Sequence, residues 1–239
     1  MEHLDEGWDR ALAIVAHPDD MEYGAAAAVA RWTAQGKQVA YVIATSGEAG
    51  IDGMDPATAA RVRRREQVTA AAAVGVEHVT FLGLPDGVVE YSVALRRLLA
   101  EQIRRHRPDV VLTTTHHLTF GDRQLNQADH RHVALATYDA VKDAGNRWIH
   151  PDLTHAGLEP HAGVRSVLVF GSGSPTHAVD VTDHLDAGVA SLRAHATYLA
   201  GLGREFDPEA FLSSMTSEPG RAVGRPHAVA FEQLSAVGV

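Results

Sequence analysis

The sequence contains no cysteine. That one absence excludes disulfides, thiolate metal ligation and a cysteine nucleophile together. It also lacks any apolar run of about 18 residues, the length a helix needs to cross a bilayer. The opening "MEHLDEGWDR" does not have the basic-then-apolar layout of a secretory leader, so a cytoplasmic location is expected. Positive charge is in deficit: 21 Lys and Arg against 30 Asp and Glu leave a net charge of −9, with no acidic tail. Generic binding to nucleic acid or to an anionic membrane is therefore disfavoured. There is no G-x-S-x-G elbow, P-loop or dinucleotide fingerprint, which argues against a serine hydrolase and the common nucleotide folds.

What is present is a chain of 239 residues, 45% hydrophobic, enough for a sizeable core in one domain spanning residues 1–239. Short apolar runs alternate with segments of helical period, the pattern of βαβ units around a mostly parallel sheet. Strands are expected at 11–16, 39–44, 79–82, 110–114 and 164–170, and helices near 22–35, 56–74, 93–106, 129–144 and 183–199. The fold class that follows is α/β, a Rossmann-like three-layer sandwich with its ligand site at the carboxyl ends of the strands. The stretch 146–163, with Pro151, Gly157, Pro160 and Gly163, reads as a loop or lid. Residues 201–239 read as a tail with one helical piece at 208–215.

Fifteen histidines outnumber Phe and Tyr together, so a histidine carries weight only beside a carboxylate and in a strategic position. "VAHPDD", residues 15–20, meets both conditions where the first long strand ends. Adjacent carboxylates repel unless a cation or a proton sits with them. His17 and Asp20 are close enough along a tight loop to bind one ion, with Asp19 directed elsewhere. A catalytic zinc takes three protein ligands and keeps one position open for water. "NQADHRHVALATYDAV" offers the third: His130 lies three residues before Val133 on the apolar stripe of a helix whose cap is Asp129. His132 falls off that stripe and reads as a solvated or rim residue. The same residues admit a plainer account, in which "HPDD" is a turn and Asp20 caps the following helix.

"AHPDD", "TSGEAG", "RRREQ…AAAVGV", "LPDG" and a later "DHR", spread over residues 11–144, resemble the LmbE/PIG-L zinc-dependent de-N-acetylases. The resemblance implies that His17, Asp20 and His130 bind one Zn2+ (other divalent metals being possible) and that Asp19 is the general base. It implies a small-molecule N-acyl amino-sugar substrate, most simply an N-acetyl one, with Arg63, Asp86 and Glu48 on the substrate side and Glu66 bracing the loops. Trimers or hexamers are expected on the same ground.

One departure stands out. The family's later motif usually reads His-Pro-Asp-His, and its first His acts as general acid or oxyanion donor; here Gln127 occupies that place. A glutamine can donate a hydrogen bond to an oxyanion but cannot supply a proton. Protonation of the departing amine then falls to Asp19 itself or to a histidine at a strand end, His116, His117 or His177. The alternative is a non-catalytic metal- or sugar-binding member that lost turnover with the acid.

Overall fold

The structure is a computed structural model and describes residues 1–121 and 124–236. Two strands open the chain, β1 (Glu2–His3) and β2 (Arg10–Val15), followed by helices α1 (Asp20–Gly24) and α2 (Ala26–Ala34). Then β3 (Gln38–Ile43), α3 (Pro56–Ala73), β4 (His78–Phe81), α4 (Val93–His106) and β5 (Val110–Thr114) alternate as the hydrophobic period requires. A small hairpin, β6 (Thr119–Phe120) and β7 (Gln124–Leu125), precedes α5 (Ala128–Gly145), α6 (Pro151–His155), β8 (Ser166–Phe170) and β9 (His177–Asp180). The last elements are α7 (Leu185–Arg193), α8 (Ala196–Gly201), α9 (Pro208–Ala222) and β10 (Ala228–Ser235).

Eight strands form one sheet in the order β1-β9-β10-β8-β5-β2-β3-β4. Every neighbouring pair is parallel except the two made by β10. One core, with Trp32, Tyr41, Leu112 and Phe231, lies under α2 and the end of α3. The other, with Leu99, Ile103, Val111 and Val133, lies under α4 and α5. Strands covered on both faces need no polar alternation, which is why β2 and β3 read as continuous apolar runs. β2, β3 and β4 are laid side by side, and the chain then crosses back so that β5 pairs with the other side of β2. That reversal places a topological switch point at the carboxyl end of β2, where diverging loops leave a crevice.

The five expected strands all form. The helix expected at 22–35 breaks at Ala25 into α1 and α2, and Gly24 there lies so close to the Phe170 ring that a Cβ has no room. The helix expected at 183–199 is likewise interrupted, as a 3-10 turn (Thr182–His184) followed by α7 and α8. The supposed tail is a core element instead. α9 continues past Pro219 to Ala222, and β10 enters the sheet between β9 and β8 with Ala228, Val229 and Phe231 buried. Its last three residues lie outside those described. Among the described residues no helix is long and apolar enough to cross a membrane.

The reading of 146–163 as a lid is corrected by topology. This stretch joins the end of α5 to the start of β8, so it lies at the amino ends of the parallel strands, away from the crevice. It is also pinned. Arg104, 2% exposed, donates to the carbonyls of Ala144, Asn146, Ile149 and Leu158 and to the Thr154 hydroxyl at 2.8–3.3 Å. Arg104→Leu leaves several carbonyls without a donor, at about 1–3 kcal/mol for each one left buried. Urea unfolding of that variant is expected to show a stability loss of about 3 kcal/mol or more, while metal content stays unchanged because the site is at the other end of the sheet. A loss below about 1 kcal/mol removes the pinning role.

Candidate metal centre

At the switch point β2 gives out into Ala16-His17-Pro18-Asp19-Asp20. Asp20 turns one carboxylate oxygen back onto the chain: Oδ2 accepts from the amides of Ala16 and His17, both at 2.9 Å. Its Oδ1 is left facing His130 Nε2 at 3.0 Å and His17 Nδ1 at 3.8 Å. His17 Nδ1 and His130 Nε2 are themselves 3.0 Å apart. Three ligand atoms from two distant segments therefore converge.

The outer partners decide which ring nitrogens carry hydrogen. Asn126 Nδ2 is spent donating to the carbonyls of Thr115 and His117, so its Oδ1 accepts from His130 Nδ1 at 2.9 Å. His17 Nε2 sits between Asp86 Oδ1 at 3.0 Å and Asp129 Oδ2 at 3.2 Å, both acceptors. In neutral rings the two facing nitrogens are therefore bare lone pairs, pointed at each other and at a carboxylate. Without a positive charge among them this arrangement is repulsive. Burial disfavours a charged His17, yet its hydrogen bonds to Asp129, Asp20 and Asp86 outweigh that and hold its pKa well above the ordinary range. Burial acts against ionised Asp20 too, but the two histidines draw its pKa far down.

A tetrahedral ion with bonds of roughly 2.0–2.1 Å separates its ligands by about 3.3 Å. The three separations here, 3.0, 3.0 and 3.8 Å, bracket that value. Two imidazoles and one carboxylate, each fixed by an outer hydrogen bond, fit a zinc-type ion with a position left open. Asn126→Ala is expected to weaken zinc binding about 10- to 100-fold, the usual effect of losing such an outer partner. Competition with a chromogenic chelator measures it, and wild-type affinity in the variant removes Asn126 from the site.

Asp19 lies beside this triangle, 4% exposed, in a left-handed conformation with φ +88°. Arg63 Nη2 donates to its Oδ2 at 3.0 Å and to the Pro18 carbonyl at 2.6 Å, and Arg63 Nη1 donates to the Gly47 carbonyl at 3.0 Å. Burial, with the neighbouring Asp20 carboxylate, pushes the Asp19 carboxyl up to about 6 against the pull of the Arg63 guanidinium. The Tyr198 ring covers that guanidinium, 4.1 Å from its carbon. Glu66 holds this cover in place by accepting from the amides of Thr197 and Tyr198 at the start of α8.

Several expectations about the surroundings change. Arg63, expected on the substrate side, is 3% exposed and spends its Nη groups on Asp19 and two main-chain carbonyls. Asp86 does reach the site, but through His17, with its Oδ2 on the Ala49 amide. Glu48 ties two loops together, accepting from the amides of Ser46 and Asp86, and borders an open cavity of about 300 Å³. Asp129 is not the cap of α5; Gln127 holds that position without a side-chain cap bond. Asp129 instead accepts from the amides of Gly87 and Val89 as well as from His17. His132 is half-buried, and its Nδ1 bonds the Val89 carbonyl.

Of the other candidate histidines, His116 and His117 follow the carboxyl end of β5, and Asn126 joins the His117 carbonyl to His130. His116 is exposed and packs edge-on against Tyr138 of α5. His117 is exposed and lies against the His116 ring. His177 starts β9, four strands or about 19 Å from β2, where it bonds Thr176. Gln127 is exposed, and among the described residues its side chain makes no hydrogen bond. Asn126 and Gln67 are supporting residues that sequence patterns did not single out, and Asp129 was read only as a helix cap. Asn126 lies outside any periodic segment, and Gln67 is legible only as the residue one turn beyond Arg63.

Comparison with known proteins places these features. A family model described as PIG-L, GlcNAc-PI de-N-acetylase, matches residues 12–141. A 1D-myo-inositol 2-acetamido-2-deoxy-alpha-D-glucopyranoside deacetylase from Thermobispora bispora is 30% identical, over 91% of this chain and 92% of that protein. The N,N'-diacetylchitobiose deacetylase of Pyrococcus horikoshii superposes with a TM-score of 0.87 at 22% identity, covering 97% of this chain and 85% of that one. A 4-carboxy-2-hydroxymuconate hydratase from Pseudomonas putida also superposes, with a TM-score of 0.76 at 22% identity and 97% of both chains covered. At such identities these two structures speak to the fold and leave the reaction open.

Proposed function

Since the chain belongs to the PIG-L, GlcNAc-PI de-N-acetylase family, we propose that it is a zinc-dependent N-deacetylase acting on an N-acetylated amino sugar. The observation that carries this reading is the convergence of three lone pairs from His17, Asp20 and His130, with a further buried carboxylate, Asp19, beside them. A site that only held an ion has no use for that extra carboxylate. A deacetylase needs one, because water must lose a proton as its oxygen attacks and the departing nitrogen must gain one.

Zinc, when bound by the three ligands, supplies Lewis acidity that eases ionisation of water near neutral pH and polarises the amide carbonyl. Asp19 takes the proton from the attacking water as the new carbon–oxygen bond forms. With Gln127 unable to supply a proton, Asp19 also returns that proton to the nitrogen as the carbon–nitrogen bond breaks. The products are a carboxylic acid and a free amine. Asn126, Asp129 and Asp86 keep both imidazoles oriented throughout. Gln127 can donate a hydrogen bond to substrate but not a proton.

The test is amine release by zinc-loaded protein from N-acetylglucosamine, N,N'-diacetylchitobiose and N-acetylglucosaminyl inositol. Turnover of at least one, abolished by a chelator and restored by zinc, is expected. Stoichiometric zinc with no amine from any of them, across roughly pH 6 to 9, overturns the deacetylase reading in favour of a binding protein.

A further inference from the structure

Asp19 occupies the N-cap position of α1, and an aspartate there ordinarily has an extended φ and accepts from an amide of the first turn with its own carboxylate. Asp19 does neither. Its φ is +88°, and it makes no side-chain cap bond. Left-handed backbone is disfavoured for any non-glycine residue, less so for aspartate than for most, and here it also forgoes the cap bond, so something must hold it there. The capping conformation is the competing state, and it would turn the carboxylate onto the helix and away from the ion.

The holding groups come from one face of α3, a turn apart. Arg63 binds the Asp19 carboxylate and the preceding carbonyl. Gln67, 1% exposed, accepts from the Asp19 amide through Oε1 at 2.8 Å. The other end of the same amide group is fixed as well: Gln67 Nε2 donates to Glu22 Oε1 at 3.0 Å. Ser191 Oγ lies 3.3 Å from that oxygen and 2.7 Å from the Ala70 carbonyl, to which its one hydrogen is best donated. Glu22 is fully buried, so this chain ties the amide of residue 19 to the interior rather than to solvent.

We propose that Gln67 is a positioning residue, one that locks Asp19 in the left-handed conformation and so keeps its carboxylate off the helix cap and beside the ion. This rests on the reading of Asp19 as the base. Gln67 touches neither substrate nor metal ligand; it acts through the backbone of residue 19. Removing its acceptor leaves the Asp19 amide buried and unbonded, and relaxation to the capping conformation relieves the backbone strain and caps the helix.

The experiment is Gln67→Leu, loaded with zinc and assayed on whichever of the three N-acetylglucosaminides the wild-type chain turns over fastest. A fall in kcat of about 10- to 100-fold is expected, the scale set by outer partners, with KM within about threefold and one zinc per chain retained. A crystal structure of the variant is expected to show residue 19 at negative φ, its carboxylate accepting from the amide of Met21 or Glu22. In the Asp19→Asn background the substitution should cost nothing more, since the group it positions is already gone. Unchanged kcat, loss of zinc, an unmoved residue 19, or an equal loss in the Asp19→Asn background each overturns the proposal. Should Gln67→Leu fold poorly, Gln67→Met removes the same two hydrogen bonds with an unbranched chain and is read identically. Full activity of Asp19→Asn alone would instead discard the base, and the variant's crystal structure would still judge the conformational claim.

Discussion

Asp19→Asn is expected to keep one zinc per chain and to lose about 100- to 10,000-fold in kcat, the range of general acid–base contributions. Asparagine is the fitting replacement because, with aspartate, it tolerates left-handed φ better than other side chains. The backbone at residue 19 can then stay as it is, with the bond from its amide to Gln67 intact. The three ligand atoms belong to other residues, so the ion is not released. What disappears is a proton acceptor. If Asp19 handles both proton steps, none of His116, His117 and His177 compensates. Retention of even a tenth of wild-type turnover by zinc-replete Asp19→Asn would return those histidines to consideration. Metal content and kinetics must be measured on the same preparation.

The second large effect is opposite in kind. His130→Ala is expected to lower zinc occupancy well below one ion per chain and to abolish turnover, and added zinc should not restore it. Two ligands from a four-residue loop remain, and a structural or catalytic zinc site is built from at least three protein donors. The fold itself should survive. His130 stands at the start of α5, whose packing comes from Val133, Ala136, Ala140 and Val141 further along. A variant that unfolds, or one that holds zinc stoichiometrically, contradicts this assignment. The two variants together separate holding the ion from using it: Asp19→Asn keeps metal and loses rate, whereas His130→Ala loses both.

The periodicity of apolar residues was enough to read the parallel half of the sheet. Strands buried on both faces leave near-continuous apolar runs, and β2, β3, β5 and β8 are of this kind, whereas β4 is a half-exposed edge strand read from a shorter run. β10 escaped because it is antiparallel and reaches its place only by long-range pairing with β8 and β9. β1 escaped because two residues have no period. The lid reading failed for a related reason: glycine and proline mark a loop, but which end of the sheet the loop occupies depends on strand direction.

At the centre itself the residues His17, Asp20 and His130 were legible as candidates by type and spacing, because a carboxylate and imidazoles at a strand end have few other uses. Their supports were not. Asn126, Asp129 and Gln67 do their work through hydrogen bonds to residues 4, 112 and 48 positions away, and no local pattern encodes such partners. Chemical type is a property of each residue and survives in the sequence alone, so it determined which atoms could hold an ion and move a proton. Orientation is a property of pairs brought together by folding. Which nitrogen is bare, whether Arg63 faces substrate or braces Asp19, and why an aspartate at a helix cap leaves that helix uncapped were decided only by the tertiary structure.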